Sequence, residues 1–418
     1  PSHLSGIDIF DVKSQYATAM SIMKVPIISP IPREIATGWL PVKKVVRIIE
    51  DFDTVLLYLD WESPKGCSEW ERSVVAYDPN DGDGCTLRRT EKQWITHWEL
   101  QVLACTSPDA LVKVHQCLGW TLRKEGLDYI TLAEYIKSVT VLRNKYKKVF
   151  KESGCTDKAA ELMSDTIKLI GNGTAGKFGQ CKVGLEPDAL HETLFKGGEV
   201  SNTANGATFT AAITNPFVFN LITGMARSYT AYSAWLNEAA MVVTDSMVVE
   251  HGTFKDPSNH LSPYRHLNEL LTTFEFDLEQ ENKDIIIFKE RDYTVFEVAD
   301  SKRELLNESL AEGICKLEDS DYKVTKVAKR GWKAPNGLTK EESNLKFFKD
   351  GFPRYLGQPL TFNKKNLLGM KEFLLGCGYL NSRTESESSI GCYNLRYLCD
   401  DLEEFRRRKL VKNACRQK

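Results

Sequence analysis

The spacing of apolar and polar positions divides this chain into segments of different period. Ile7-Asp8-Ile9-Phe10-Asp11-Val12 alternates as a half-buried strand does, and Ser14–Met20 then turns into a helix. Asp11 therefore stands at a strand end with Tyr16 one turn later, and Pro26, Pro30 and Pro32 stop the helix. Val42–Ile49 and Thr54–Trp61 read as strands, and Asp78–Gly84 as the turn joining two more. From Ser107 the period lengthens, which predicts helices over Asp109–Leu118, Leu132–Phe150 and Lys158–Ile170, the last stopping at Gly171-Asn172-Gly173. Leu185–Ala207 is polar and Gly-rich, a loop. Pro216–Ala240 carries Phe217, Leu221, Ile222, Met225, Tyr229, Tyr232 and Trp235 at helical spacing. Strands follow at Asp284–Lys289, Tyr293–Ala299 and Lys323–Arg330, and the tail from Leu360 reads as mainly helical. The mixture is α+β, without internal repeats.

The stretch with most consequence is Met241–Glu250, two apolar runs around a Thr244-Asp245-Ser246 island, the pattern of a hairpin. Such a tripeptide serves as an ordinary turn. It also holds an aspartate between buried strands, where desolvation favours a cationic partner such as a divalent metal.

Charge narrows little. Lys and Arg total 55 against 57 Asp and Glu, so a nucleic-acid surface has to be a local patch. The richest run, Lys137, Arg143, Lys145, Lys147, Lys148 and Lys151, suits either a solvated helix face or a phosphate-contacting one. Eleven irregularly spaced cysteines with no C-x-x-C pair read as reduced thiols, not zinc ligands. No apolar run is long enough to span a bilayer and no signal-peptide layout opens the chain, so a soluble intracellular protein is expected, its compartment open. A chain starting at Pro1, with chemistry so near its start, reads as part of a longer product.

Three segments carry a resemblance. Asp11-Val-Lys-Ser14-Gln15-Tyr16, Lys168-Leu-Ile-Gly-Asn172-Gly-Thr-Ala-Gly176-Lys177-Phe-Gly and Thr244-Asp245-Ser246 resemble, in order, motifs A, B and C of family B DNA polymerases, D-x-x-S-L-Y-P, K-x-x-x-N-S-x-Y-G and Y-x-D-T-D-S. Their separations, 157 and 77 residues, are similar to those of the protein-primed branch of phages, viruses and linear plasmids. Ile222-Thr-Gly-Met-Ala-Arg227 looks like the helix preceding motif C, Arg291-Asp-Tyr293 like the K-x-Y motif, and Lys326–Gly331 like the K-G segment beyond.

The resemblance implies a right hand with an antiparallel-sheet palm, helical fingers and a thumb: palm 1–36, an insertion at 37–130 like a terminal-protein region, fingers 131–179, a loop insertion 180–215, palm 216–300, and thumb with C-terminal extension 301–418. It implies template-directed dNTP addition to a primer 3′-hydroxyl with two Mg²⁺ or Mn²⁺ ions, held by Asp11, Asp245 and the carbonyl of Val12. Ser14, Gln15, Tyr16, Arg143, Lys147, Lys168 and Asn172 are implied to bind the nucleotide, with Tyr16 under the sugar and the cations on the triphosphate. Thr244, Ser246, Gly176, Lys177, Arg291, Tyr293 and Lys329 are implied to contact primer-template DNA. A terminal protein, and an exonuclease supplied by a separate chain or region, are further implied partners; no membrane is.

Several positions depart from the pattern. Motif C has Met241 and Val243 for Tyr and Asp, motif B has Gly173 and Ala175 for Ser and Tyr, and motif A has Gln15 and Ala17 for Leu and Pro. The rival reading is a catalytically degenerate polymerase-like module that binds DNA or scaffolds replication. A third, an RNA-synthesising palm enzyme, is separated by Tyr16 as a barrier to ribose.

Overall fold

The computed structural model describes residues 2–68, 70–72, 76–77, 85–87, 89–122, 127–179, 214–289, 292–329, 338–356, 360–366, 383–390 and 398–399. In chain order, β1 (Ser2–Val12) and α1 (Gln15–Ile22) lead to α2 (Val42–Ile48), β2 (Thr54–Glu62), β3 (Arg89–Thr96), α3 (His97–Thr106) and β4 (Leu111–Trp120). Two long helices follow, α4 (Ala133–Glu152) and α5 (Lys158–Phe178), then α6 (Pro216–Leu236). The hairpin β5 (Met241–Val243) and β6 (Ser246–Glu250) precedes α7 (Arg265–Thr273), β7 (Phe276–Lys289), β8 (Asp292–Val298), α8 (Arg303–Glu312) and β9 (Tyr322–Lys329). Helices α9 (Lys340–Lys349) and α10 (Gly351–Tyr355) come after them.

A six-stranded sheet of order β5-β6-β1-β7-β8-β9, antiparallel throughout, is the frame. The first strand of the chain lies inside it, between strands that start more than 230 residues later. Alternation in β1 explains why it can: Ile7 and Ile9 join Val248, Ile285, Tyr293 and Val295 on one face, while Phe10 stacks with Phe254 and meets Phe276 edge-on on the other, beside Met247 and Val249. Helix α6 covers that second face, with Tyr229 stacked on Phe274 and Phe276. At the far end Phe288 and Phe296 bury against Leu306, Phe347, Phe348 and Phe352 of α8 to α10.

Between α1 and α4 the chain builds a second antiparallel sheet, with β2 central between β3 and β4 and short pieces Ile31–Pro32 and Leu40–Pro41 along β4. Beyond their shared core, two contacts join it to α6. Glu99, fully buried, completes the capping box of α3 with Thr96 and accepts from the Arg227 guanidinium. Gly224 lets α6 pass close to Thr96: a Cβ there would lie 2.7 Å from the Thr96 side chain. Gly224→Ala is thus expected to cost about 1–3 kcal/mol through overpacking, read as a lower Tm in thermal denaturation; an unchanged Tm would mean that the Thr96 side chain gives way without cost.

Several expectations fail. Val42–Ile48 is a helix, not a strand, burying Val42, Val45 and Val46 at helical spacing with Lys43, Lys44 and Arg47 outside. The helix expected over Asp109–Leu118 is β4, paired along β2 from Thr54–Trp120 to Glu62–Leu111. Helix α5 does not stop at Gly171 but runs to Phe178, and α3 was not foreseen. In the tail, Leu360–Asn366 pairs antiparallel with Arg383–Ile390. The Asp78–Gly84 turn, the 185–207 loop, Arg291, Arg330 and Gly331 lie outside the described residues. Among the described residues no helix is long and apolar enough to cross a membrane.

Candidate active site

Strand register brings together the two aspartates that lie 234 positions apart in sequence. Asp11 sits opposite Ser246, and the Ser246 hydroxyl donates to Asp11 Oδ1 at 2.8 Å. The neighbouring Val12 N–H donates to the Asp245 carbonyl at 2.8 Å, which ties the hairpin tip to the end of β1. The turn itself is Thr244-Asp245, with Val243 paired to Ser246, so Ser246 belongs to the strand and not to the turn. Thr244 has φ 58°, a left-handed conformation that a β-branched residue adopts at a cost of order 1–3 kcal/mol, a strain of the kind that clusters at functional sites.

Burial pushes the Asp245 carboxyl above its ordinary range, and the nearby Asp11 carboxylate pushes it further in the same direction. Two mutually repelling carboxylates with hard oxygen donors fit Mg²⁺ or Mn²⁺. No cluster of three His, Cys, Asp or Glu side chains suited to a metal occurs among the described residues; waters, backbone carbonyls and substrate phosphates are donors that can complete a coordination shell around a hard cation. Val12 buries its side chain, leaving only its carbonyl for such a role.

On the same side of the sheet, β7, β8 and β9 contribute Glu279, Tyr293 and Lys326. The Lys326 ammonium meets Glu279 Oε2 at 2.5 Å, hydrogen-bonds the Tyr293 hydroxyl, and lies close enough to Asp11 and Asp245 for their charges to act on it. Sequence reading singled out Lys329 instead. Three positions along a strand reverse the face, and Lys329 turns toward α9, donating to Ser343 Oγ at 2.8 Å over the Phe347 ring. The pairing Val295–Lys326, two residues on from Tyr293–Ala328, is the signal that separates the two lysines, and it exists only once register is known.

Other predicted residues divide similarly. Ser14 caps α1 with φ 48° and makes no side-chain cap bond. Tyr16 is half-buried at the rim of the main core. Gln15 does not face outward: it is 3 % exposed, and its amide donates to Ala226 O and Thr230 Oγ1 of α6, so its side chain anchors that helix.

Helices α4 and α5 run antiparallel, Tyr135 near one start touching Thr174 near the other end, with Gly171 opposite Val139 on the seam. At 100° per residue from that seam, Arg143, Lys147, Lys168, Asn172 and Gly176 fall on one side of the pair, and Lys145 and Lys177 on the other. Lys147, Lys168 and Asn172 are exposed and Arg143 is half-buried.

The sequence matches no protein-family profile, and no curated protein matches it. Solved structures do. Phi29 DNA polymerase complexed with primer-template DNA and incoming nucleotide substrates aligns with 94% of this chain and 59% of its own at 14% identity, with a TM-score of 0.51. Its post-translocation binary complex with primer-template DNA aligns with 93% and 58% at 14% identity, TM-score 0.49. This chain thus spans less than two thirds of that polymerase. What the two have in common at such identity is architecture, and the chain shares its fold with phi29 DNA polymerase.

Proposed function

We propose that this chain is the core of a DNA-directed DNA polymerase that adds dNTPs to a primer 3′-hydroxyl on a DNA template. The observation that carries the reading is the meeting of Asp11 and Asp245 at the joined ends of β1 and the β5–β6 hairpin. On this reading the sheet is the palm, α4 and α5 the fingers, and α8 to α10 part of the thumb.

Asp11 and Asp245 would hold two Mg²⁺ or Mn²⁺ ions, with the Val12 carbonyl as an added donor, and such ions would supply acidity to the attacking hydroxyl and charge neutralisation to the phosphates. Ser246 fixes one oxygen of Asp11, which leaves the other for a metal ion. The triphosphate is met from the opposite side by Arg143, Lys147 and Lys168. Asn172 and Gly176 stand on the same helix side, where the nascent base pair would rest. Tyr16 closes the space beneath the sugar, and Tyr293, Thr244 and Ser246 border the primer end.

Primer extension with dNTPs, a primed DNA template and Mg²⁺ or Mn²⁺ tests this. Incorporation is expected; a chain that binds the template yet incorporates nothing is the degenerate module. Tyr16→Val is expected to relax discrimination against rNTPs by roughly two orders of magnitude, the scale of one steric contact, with dNTP use largely kept. Equal use of both sugars by the native chain would remove Tyr16 from that role. The finer proposal, that synthesis is protein-primed with a terminal protein as partner, rests on the resemblance of the 37–130 insertion to a terminal-protein region.

A further inference from the structure

Lys326 is out of place in a site that has to attract cations. Its ammonium does not snorkel away to water: the side chain is 27% exposed and pinned by Glu279 at 2.5 Å and by the Tyr293 hydroxyl, itself 4% exposed. From that position its charge reaches both Asp11 and Asp245. The other ion pairs nearby close on themselves, since Lys13 holds both Glu275 at 2.9 Å and Asp277 at 3.1 Å. What remains is three carboxylates, Asp11, Asp245 and Glu279, and one fixed ammonium. Their formal sum is −2, the charge one divalent cation cancels.

We infer that Lys326 is a built-in counter-ion that competes with divalent metal for the Asp11–Asp245 pair, so that its fixed charge sets the metal affinity of the site. This rests on the reading of that pair as metal ligands. Without metal the ammonium offsets part of the repulsion between the aspartates and lets the hairpin close onto β1. With metal present it opposes the incoming charge and weakens binding. The site then avoids holding ions so tightly that they remain when no nucleotide is bound. Lys326 acts through the carboxylates and is a positioning residue.

The test is Mn²⁺ binding to the full chain, by calorimetry or by the loss of free-ion electron paramagnetic resonance signal, with no nucleotide or DNA present. Lys326→Met is expected to bind Mn²⁺ about tenfold more tightly, the order of effect a single nearby fixed charge exerts. Lys326→Arg, which keeps the charge, is expected to stay within about twofold of the native chain. Lys326→Gln, able to hydrogen-bond Glu279 and Tyr293, gives the same reading as Lys326→Met should the latter not fold. Asp245→Asn separates the two levels: if it leaves Mn²⁺ affinity untouched, the metal reading of the aspartate pair falls. If Asp245→Asn abolishes binding while the charge-removing Lys326 variants bind no more tightly than the native chain, only the counter-ion role is overturned.

Discussion

Asp245→Asn is expected to lower primer extension by a factor on the order of 10³ and, in EDTA, to raise the thermal stability of the protein. The first effect follows from losing one of two carboxylates whose ions stabilise transition-state charge by several kcal/mol. The second follows from the site's electrostatics. Burial and the Asp11 charge hold the Asp245 carboxyl above its ordinary pKa of 3.8. As pH rises past that value the unfolded chain releases its proton first, so stability falls until the folded group has also ionised and stays reduced at neutral pH. Asn removes the cost. The Tm gain in EDTA should accordingly be present at pH 7 and vanish near pH 3, while saturating Mg²⁺ favours the native chain by mass action. A variant that extends primers as the native chain does would remove Asp245 from the chemistry.

Arg354→Met is expected to produce the largest loss of stability, about 3–5 kcal/mol in urea denaturation, because it strands the Asp292 charge. Both side chains are fully buried, the guanidinium contacts Asp292 Oδ2 at 2.5 Å, and it lies over the rings of Phe288 and Phe347 at 4.3 and 5.4 Å. The pair joins the start of β8 to α10 and so fixes the far helices to the sheet. Combining Arg354→Met with Asp292→Asn should recover part of the loss, since no unpaired charge then stays buried. A loss below about 1 kcal/mol for Arg354→Met alone would show the junction to be wet.

Local periodicity located the elements that carry chemistry. The alternation of Ile7–Val12 and the apolar runs flanking Asp245 gave strands that the structure contains, and Pro216–Leu236 is the helix its pattern indicated. Reading went astray where a short segment carried two signals. Val42–Ile48 is rich in β-branched residues, yet its burial at helical spacing against the core prevailed over propensity. Asp109–Leu118 reads as helical because β4, with a bulge against Tyr58–Leu59 of β2, loses strict alternation. The start of α3 is marked in the sequence by the Thr96–Glu99 capping box, three residues apart.

The sequence alone determined which residue types were available for nucleotidyl chemistry and in what order: a strand-end Asp11, a helix with Lys168 and Asn172, and a hairpin aspartate at 245. Those are properties of short windows, where neighbours along the chain set the outcome. Only the tertiary structure decided that Gln15 turns inward, that Lys326 and not Lys329 faces the carboxylates, and that Arg227 and Gly224 fasten one sheet to another. Each depends on which strand lies beside which, and in what register, over separations of tens to hundreds of residues, and a slip of one position would send every such side chain to the opposite face.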